Sequence, residues 1–130
     1  MLLFGHPYIP SQTFYHIESF EAIRKSPANS VLTLFFSAEN LDLIAHLRKN
    51  NIRFGLHIQT LSEAVLGENL GASYLIVDPR DAAEIQAVAE HYLFNAKVLG
   101  YVDSMDHLEM LIEMRLDGAI FAEAIVKITS

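Results

Sequence analysis

Strand-like segments start at positions 31, 53, 74, 98 and 119, so successive starts lie 22, 21, 24 and 21 residues apart. This recurrence constrains the fold more than any other feature. An interval of that length holds one strand, one helix and two short loops, which predicts repeated βα units around a parallel sheet. The punctuation agrees. Val31–Phe36 reads as a buried strand, Ser37 as the cap of a helix running to Lys49, and Asn50-Asn51 as a left-handed stop. Phe54–Ile58 is followed by Thr60-Leu-Ser-Glu63, a capping box whose hydroxyl and carboxylate can each satisfy a first-turn amide, with a helix end near Gly71. Tyr74–Val77 precedes a capping-box-like start at Asp81-Ala-Ala-Glu84. Val98–Val102 leads into a last long helix carrying Leu108, Leu111 and Ile112, and Asp117-Gly118 turns into Ala119–Phe121. Ahead of these, Phe14–Ile17 reads as a strand before a helix from Phe20 to Lys25 capped by Ser19.

The expectation is a single α/β domain over residues 1–130, with about six βα-type units, the last nearly without its helix. Residues 1–13 form an irregular arm or add one more strand. A closed eight-stranded barrel takes roughly 200 residues or more. Two architectures therefore stay open: a partial TIM-barrel-like sheet, or an open doubly wound one. The segments Gly55-Leu-His-Ile-Gln-Thr-Leu-Ser-Glu-Ala64 to Gly71-Ala72, and Leu99-Gly-Tyr-Val-Asp-Ser104 to Asp117-Gly118-Ala-Ile-Phe121, resemble units of phosphate-binding (β/α)8 barrels. They are similar to those of glycerol-responsive antiterminators and small aldolase-type barrels. The resemblance implies a site at the strand carboxyl ends. It carries over no functional residue, because the last two units hold no glycine-rich phosphate loop and no strand places a Schiff-base lysine.

Composition narrows the function. The chain is 52% apolar and 19% charged, against typical values of about 45–50% and 25%. That excess of apolar surface predicts a homo-oligomer, a dimer first, unless helices on both faces of the sheet absorb it. Leu108, Leu111 and Ile112, with Met105, Met110 and Met114 widening the stripe, are the candidate contact surface. An uncovered edge at Ala119–Phe121 would favour the same pairing. A net charge of −7 with nine Lys and Arg leaves no footprint for nucleic acid or an anionic membrane. No cysteine is present and no segment reads as a signal or spanning sequence, so a cytoplasmic location is expected.

Parallel α/β sheets bind ligands where strands end, because loops and helix amino termini converge there. Aligning each strand on the helix start after it puts Glu18, Ser37, Gln59, Asp78, Asp103 and Glu123 at the rim. One step inward on the same face come His16, Phe35, His57, Ile76, Tyr101 and Phe121. The candidate metal-binding set is therefore His16, Glu18, His57, Asp78, Asp103 and Glu123, whose oxygens and imidazole nitrogens suit a divalent ion such as zinc, manganese, magnesium or iron. Without an ion, crowded carboxylates would raise one pKa and create a general acid. The competing explanation is that these acids cap helices and face helix dipoles. Arg80 is the one cation near the rim, which disfavours a highly phosphorylated ligand. His46, His91 and His107 read as solvated helix residues, and His6-Pro7-Tyr8 as part of a lid or of an arm.

Three functions remain compatible with these residues. The first is a homo-oligomeric protein with a small-molecule-binding or regulatory role at the strand carboxyl ends. The second is a small metal-assisted or acid–base enzyme acting on a neutral metabolite, and the third is an interaction subunit without ligand.

Overall fold

The structure, a computed structural model, describes residues 1–129. Strands and helices alternate as the spacing predicts. β1 (Leu2–Phe4) comes first, then β2 (Phe14–His16), α1 (Phe20–Lys25), β3 (Val31–Phe35) and α2 (Leu41–Lys49). β4 (Phe54–His57), α3 (Leu61–Asn69), β5 (Tyr74–Val77), α4 (Pro79–His91) and β6 (Lys97–Val102) follow. α5 (Leu108–Glu113), β7 (Gly118–Phe121) and β8 (Ile125–Lys127) complete the order. All pairings are parallel, in the order β1-β7-β6-β5-β4-β3-β2-β8. The sheet curls into a partial barrel, so of the two architectures the open doubly wound one is not formed.

The caps explain why the helices begin where they do. Ser19 accepts from the amide of Ala22, Ser37 from Glu39, and Thr60 from Glu63. The Glu63 carboxylate reaches back one residue beyond the box, accepting from the amide of Gln59 ahead of the cap at 2.8 Å. Asn51 (φ 56°) and Gly71 (φ 91°) supply the left-handed residues that end α2 and α3. Two local readings need correction. α4 starts at Asp78-Pro79, with Asp78 as the cap and Asp81 inside the first turn, because proline pre-set at the first helical position outcompetes the later box. The last long helix is a 3-10 turn (Met105–His107) followed by the six residues of α5, with Ser104 as the cap and Asp103 flanking it.

Two apolar layers result. The larger lies between the sheet and the helices and includes Leu34, Leu47, Leu56, Leu75, Ile85 and Val98. The smaller fills the inside of the curl, where Phe4, Phe14 and Tyr74 meet with ring centroids 4.9, 5.2 and 5.7 Å apart. Gly55 makes room for this plug, since a Cβ there would stand 3.3 Å from that of Tyr74. Contact between β1 and β2 across the interior shows how far the sheet has curled, although no ladder joins β1 to β8 among the described residues.

The seam is built from both ends of the order. β7 is flanked by β6 and β1, so the edge expected at Ala119–Phe121 is covered by Leu2–Phe4. The segment after it, Ala122–Ala124, is a 3-10 turn that carries the chain straight to β8 beside β2. Four peptide steps span at most roughly 14 Å, so the two margins of the sheet lie close together. Gly5 and Ala124 mark the contact, where a Cβ on Gly5 would come within 2.9 Å of the Ala124 Cβ.

Candidate functional site

The aromatic plug closes the amino-terminal end of the curl, which leaves its carboxyl-terminal mouth as the place for a cavity. Side chains alternate along each strand, so the residue two steps beyond a plug residue faces the mouth. Phe14 leads to His16, and Val31 to Thr33 and Phe35. Gly55 leads to His57, Tyr74 to Ile76, and Leu99 to Tyr101. His16, Phe35, His57 and Tyr101 line a mouth cavity of 390 Å³ together with Ala122, Ile125 and Lys127. An adjoining cavity of 320 Å³ shares Phe35, His57 and Tyr101, and is completed by Gln59, Glu63, Ile76 and Asp78. The two form one groove with an aromatic floor.

Three rings make that floor. His16 and Phe35 have centroids 5.0 Å apart, Phe35 and His57 5.0 Å, and His16 and His57 5.4 Å. Phe35 nevertheless keeps 55% of its surface exposed. Nδ1 of His16 lies 2.9 Å from the hydroxyl of the fully buried Thr33, which fixes the ring. Nε2 of His16 is buried without a hydrogen-bond partner among the described residues, and Oε1 of Glu18 stands 3.7 Å away. Burial pushes the His16 pKa below its ordinary value, against the pull of Glu18 and with the push of Lys127. Burial, and then the neighbouring His16, lower His57 to about 4. His57 is therefore neutral near pH 7.

The six metal candidates do not converge. His16, His57 and Glu18 come together at the mouth. Glu18 also pairs with Lys127 at 3.1 Å. Asp78 is drawn away by its own helix: it accepts from the Arg80 amide and binds the Arg80 guanidinium at 3.0 and 3.2 Å, bonds that hold its carboxyl below the usual range. Asp103 faces His107 at 3.7 Å, and Glu123 is exposed on the 3-10 turn after β7. Among the described residues no three His, Asp or Glu side chains are placed to hold a metal ion. At β7 the alternation is offset by one from that expected. Ile120 faces the interior and Phe121 packs among the residues under the helices, so Ala122, not Glu123, lines the cavity.

No family model matches the chain, and no curated protein matches it in sequence.

Lys127 and Thr33 are site residues that the strand alignment passes over. The signal for Lys127 is present in Ile125-Val-Lys127, an alternating triplet continuing the direction of β7. His46, His91 and His107 are exposed on their helices and the helix-preceding turn. His6 packs edge-on against Phe121 at 5.5 Å and against the exposed Tyr8, within residues 5–13 that link β1 to β2 without a helix.

Proposed function

We propose that this protein binds a small, ring-bearing molecule in the groove at the carboxyl-terminal mouth of its sheet, in a binding or regulatory role. The observation that carries the reading is the floor of the groove. Phe35 is large, apolar and more than half exposed, yet held between two histidine rings on a strand rather than on a mobile loop. Rigid aromatic surface at a concave site is where a planar ligand gains contact area at little entropic cost. Cavities of 320 and 390 Å³ lie in the range of small-molecule sites. The likeness of the units to phosphate-binding barrels supports the same end of the sheet. Acid–base catalysis draws less support, because an imidazole with a pKa of about 4 is a weak base at neutral pH.

The reading extends to a cytoplasmic homo-oligomer. The lack of cysteine supports the compartment, and among the described residues no helix is long and apolar enough to cross a membrane. Exposed Met105, Met110 and Ile112 support self-association. The test of the binding role is a ligand-observed NMR screen of small aromatic and heteroaromatic compounds against the wild type and Phe35→Ala. Hits that vanish in a variant of unchanged melting temperature support the groove. A screen without hits, or hits indifferent to Phe35→Ala, rejects it.

A further inference from the structure

Resting on that reading of the mouth, we propose that its ligand is a small ring-bearing monocarboxylate, with the ring on Phe35 and the carboxylate between Lys127 and Nε2 of His16. The two lobes of the groove differ in what they leave unused. On the acidic side the carboxylates are already occupied, since Glu63 accepts from the Gln59 amide and both oxygens of Asp78 hold Arg80. On the other side the free capacity is in donors. Lys127 is the one formal charge lining the 390 Å³ lobe, and an ammonium carries three donors and no acceptor. Its partner Glu18 sits outside that lining, and the pair is more than half exposed on both sides (60% and 57%). Such pairs are weak, so an incoming carboxylate can take the place of Glu18.

His16 supplies the second donor. Its side chain is only 8% exposed and its Nδ1 is committed to Thr33, while Nε2 is sealed from solvent and, among the described residues, makes no hydrogen bond. A buried group in that state is costly until something satisfies it. Oε1 of Glu18 faces both Nε2 (3.7 Å) and Lys127 (3.1 Å), so a ligand carboxylate reaches Nε2 by taking the place of that oxygen. The Glu18 carboxylate on the Nε2 side favours the tautomer with its proton there; the Thr33 hydroxyl then donates to Nδ1, and Nε2 donates to the ligand. The remaining lining is Phe35, Tyr101, Ala122 and Ile125 with the neutral His57 ring, a mainly aromatic and apolar surface that suits the body of the molecule. One anionic group is what this lobe can satisfy. A phosphate ester with its second charge would meet Glu18 without a further cation to match it.

The experiment compares benzoate and indole-3-carboxylate with benzamide and indole-3-carboxamide by titration calorimetry on the wild-type protein and three variants. The carboxylates are expected to bind about tenfold or more tighter than the amides, the effect of a charge-assisted hydrogen bond. Lys127→Met should remove that preference while leaving amide binding in place. Glu18→Gln, which frees Lys127, should strengthen carboxylate binding severalfold. Phe35→Ala should weaken all four compounds. Equal binding of acids and amides, both lost in Phe35→Ala, would overturn the carboxylate inference and leave the groove standing. A preference that survives Lys127→Met would also overturn it. Absence of binding by all four compounds, with an empty aromatic screen, would overturn the groove itself.

Discussion

Acidification should destabilise this protein through His57. The ring has an ordinary pKa of 6.5 in the unfolded chain, and burial beside His16 lowers it to about 4 in the folded one. Above pH 6.5 both states are neutral there and the site does not affect stability. Between 6.5 and about 4 the unfolded chain takes up a proton that the folded chain refuses, so stability falls as pH falls. At 1.36 kcal/mol per pH unit, the loss by pH 4 is about 3 kcal/mol. For a chain of this length, with an unfolding entropy of about 2.1 cal/mol/K per residue, that is a drop in Tm of roughly 10 °C. His16, lowered by the same burial, adds in the same direction. The assay is a series of thermal melts from pH 7 to 4 on the wild type and His57→Gln, with the His57 ring protons followed by NMR. The variant should lose most of the pH dependence in that window, and the ring should titrate near 4. A midpoint near 6.5, or equal slopes for the two proteins, would refute the argument.

Two further outcomes are expected. Gly118→Ala should cost about 1–3 kcal/mol and lower Tm by several degrees, because its Cβ would stand 2.7 Å from the Leu2 carbonyl oxygen and push β1 off the sheet. Hydrogen exchange at Leu3 and Phe4 should quicken in that variant, and an unchanged Tm would refute the packing argument. Met110→Lys combined with Ile112→Lys, both exposed on α5, should halve the mass seen by light scattering if α5 is the contact. A wild-type mass that is already monomeric, or one the variant leaves unaltered, rejects α5 as the interface.

Much of this fold is readable in the residues, and the reason is physical. Central strands of a parallel sheet are buried on both faces, so they stand out as continuous apolar runs, and the caps at Ser19, Ser37 and Thr60 are local chemistry that needs no tertiary context. β8 is different. It is three residues long, and its partner lies at the far end of the chain, so nothing near Ile125 marks it as a strand. The predicted rim extends strand alternation past the strands' last residues. That extension works for His16 and His57, which are inside their strands. It puts Asp78 on the lining of the groove but misses that its carboxylate is committed to the start of α4, and it fails for Asp103, which faces His107. At β7 no long helix follows to set the register, and it is Ile120 that faces the interior in place of Phe121.

The seam has a consequence for the order of assembly. Each ladder from β2 to β7 joins neighbours in the chain, so those units can dock one after another as they are synthesised. The margins obey a different clock. Leu2 waits for Gly118, and Phe14 waits for Ile125, so Phe4 and Phe14 lack their final setting until nearly the whole chain exists. Loops that long close late and slowly. Lys127 arrives last of all, which makes the groove competent only after the interior beneath it has been sealed.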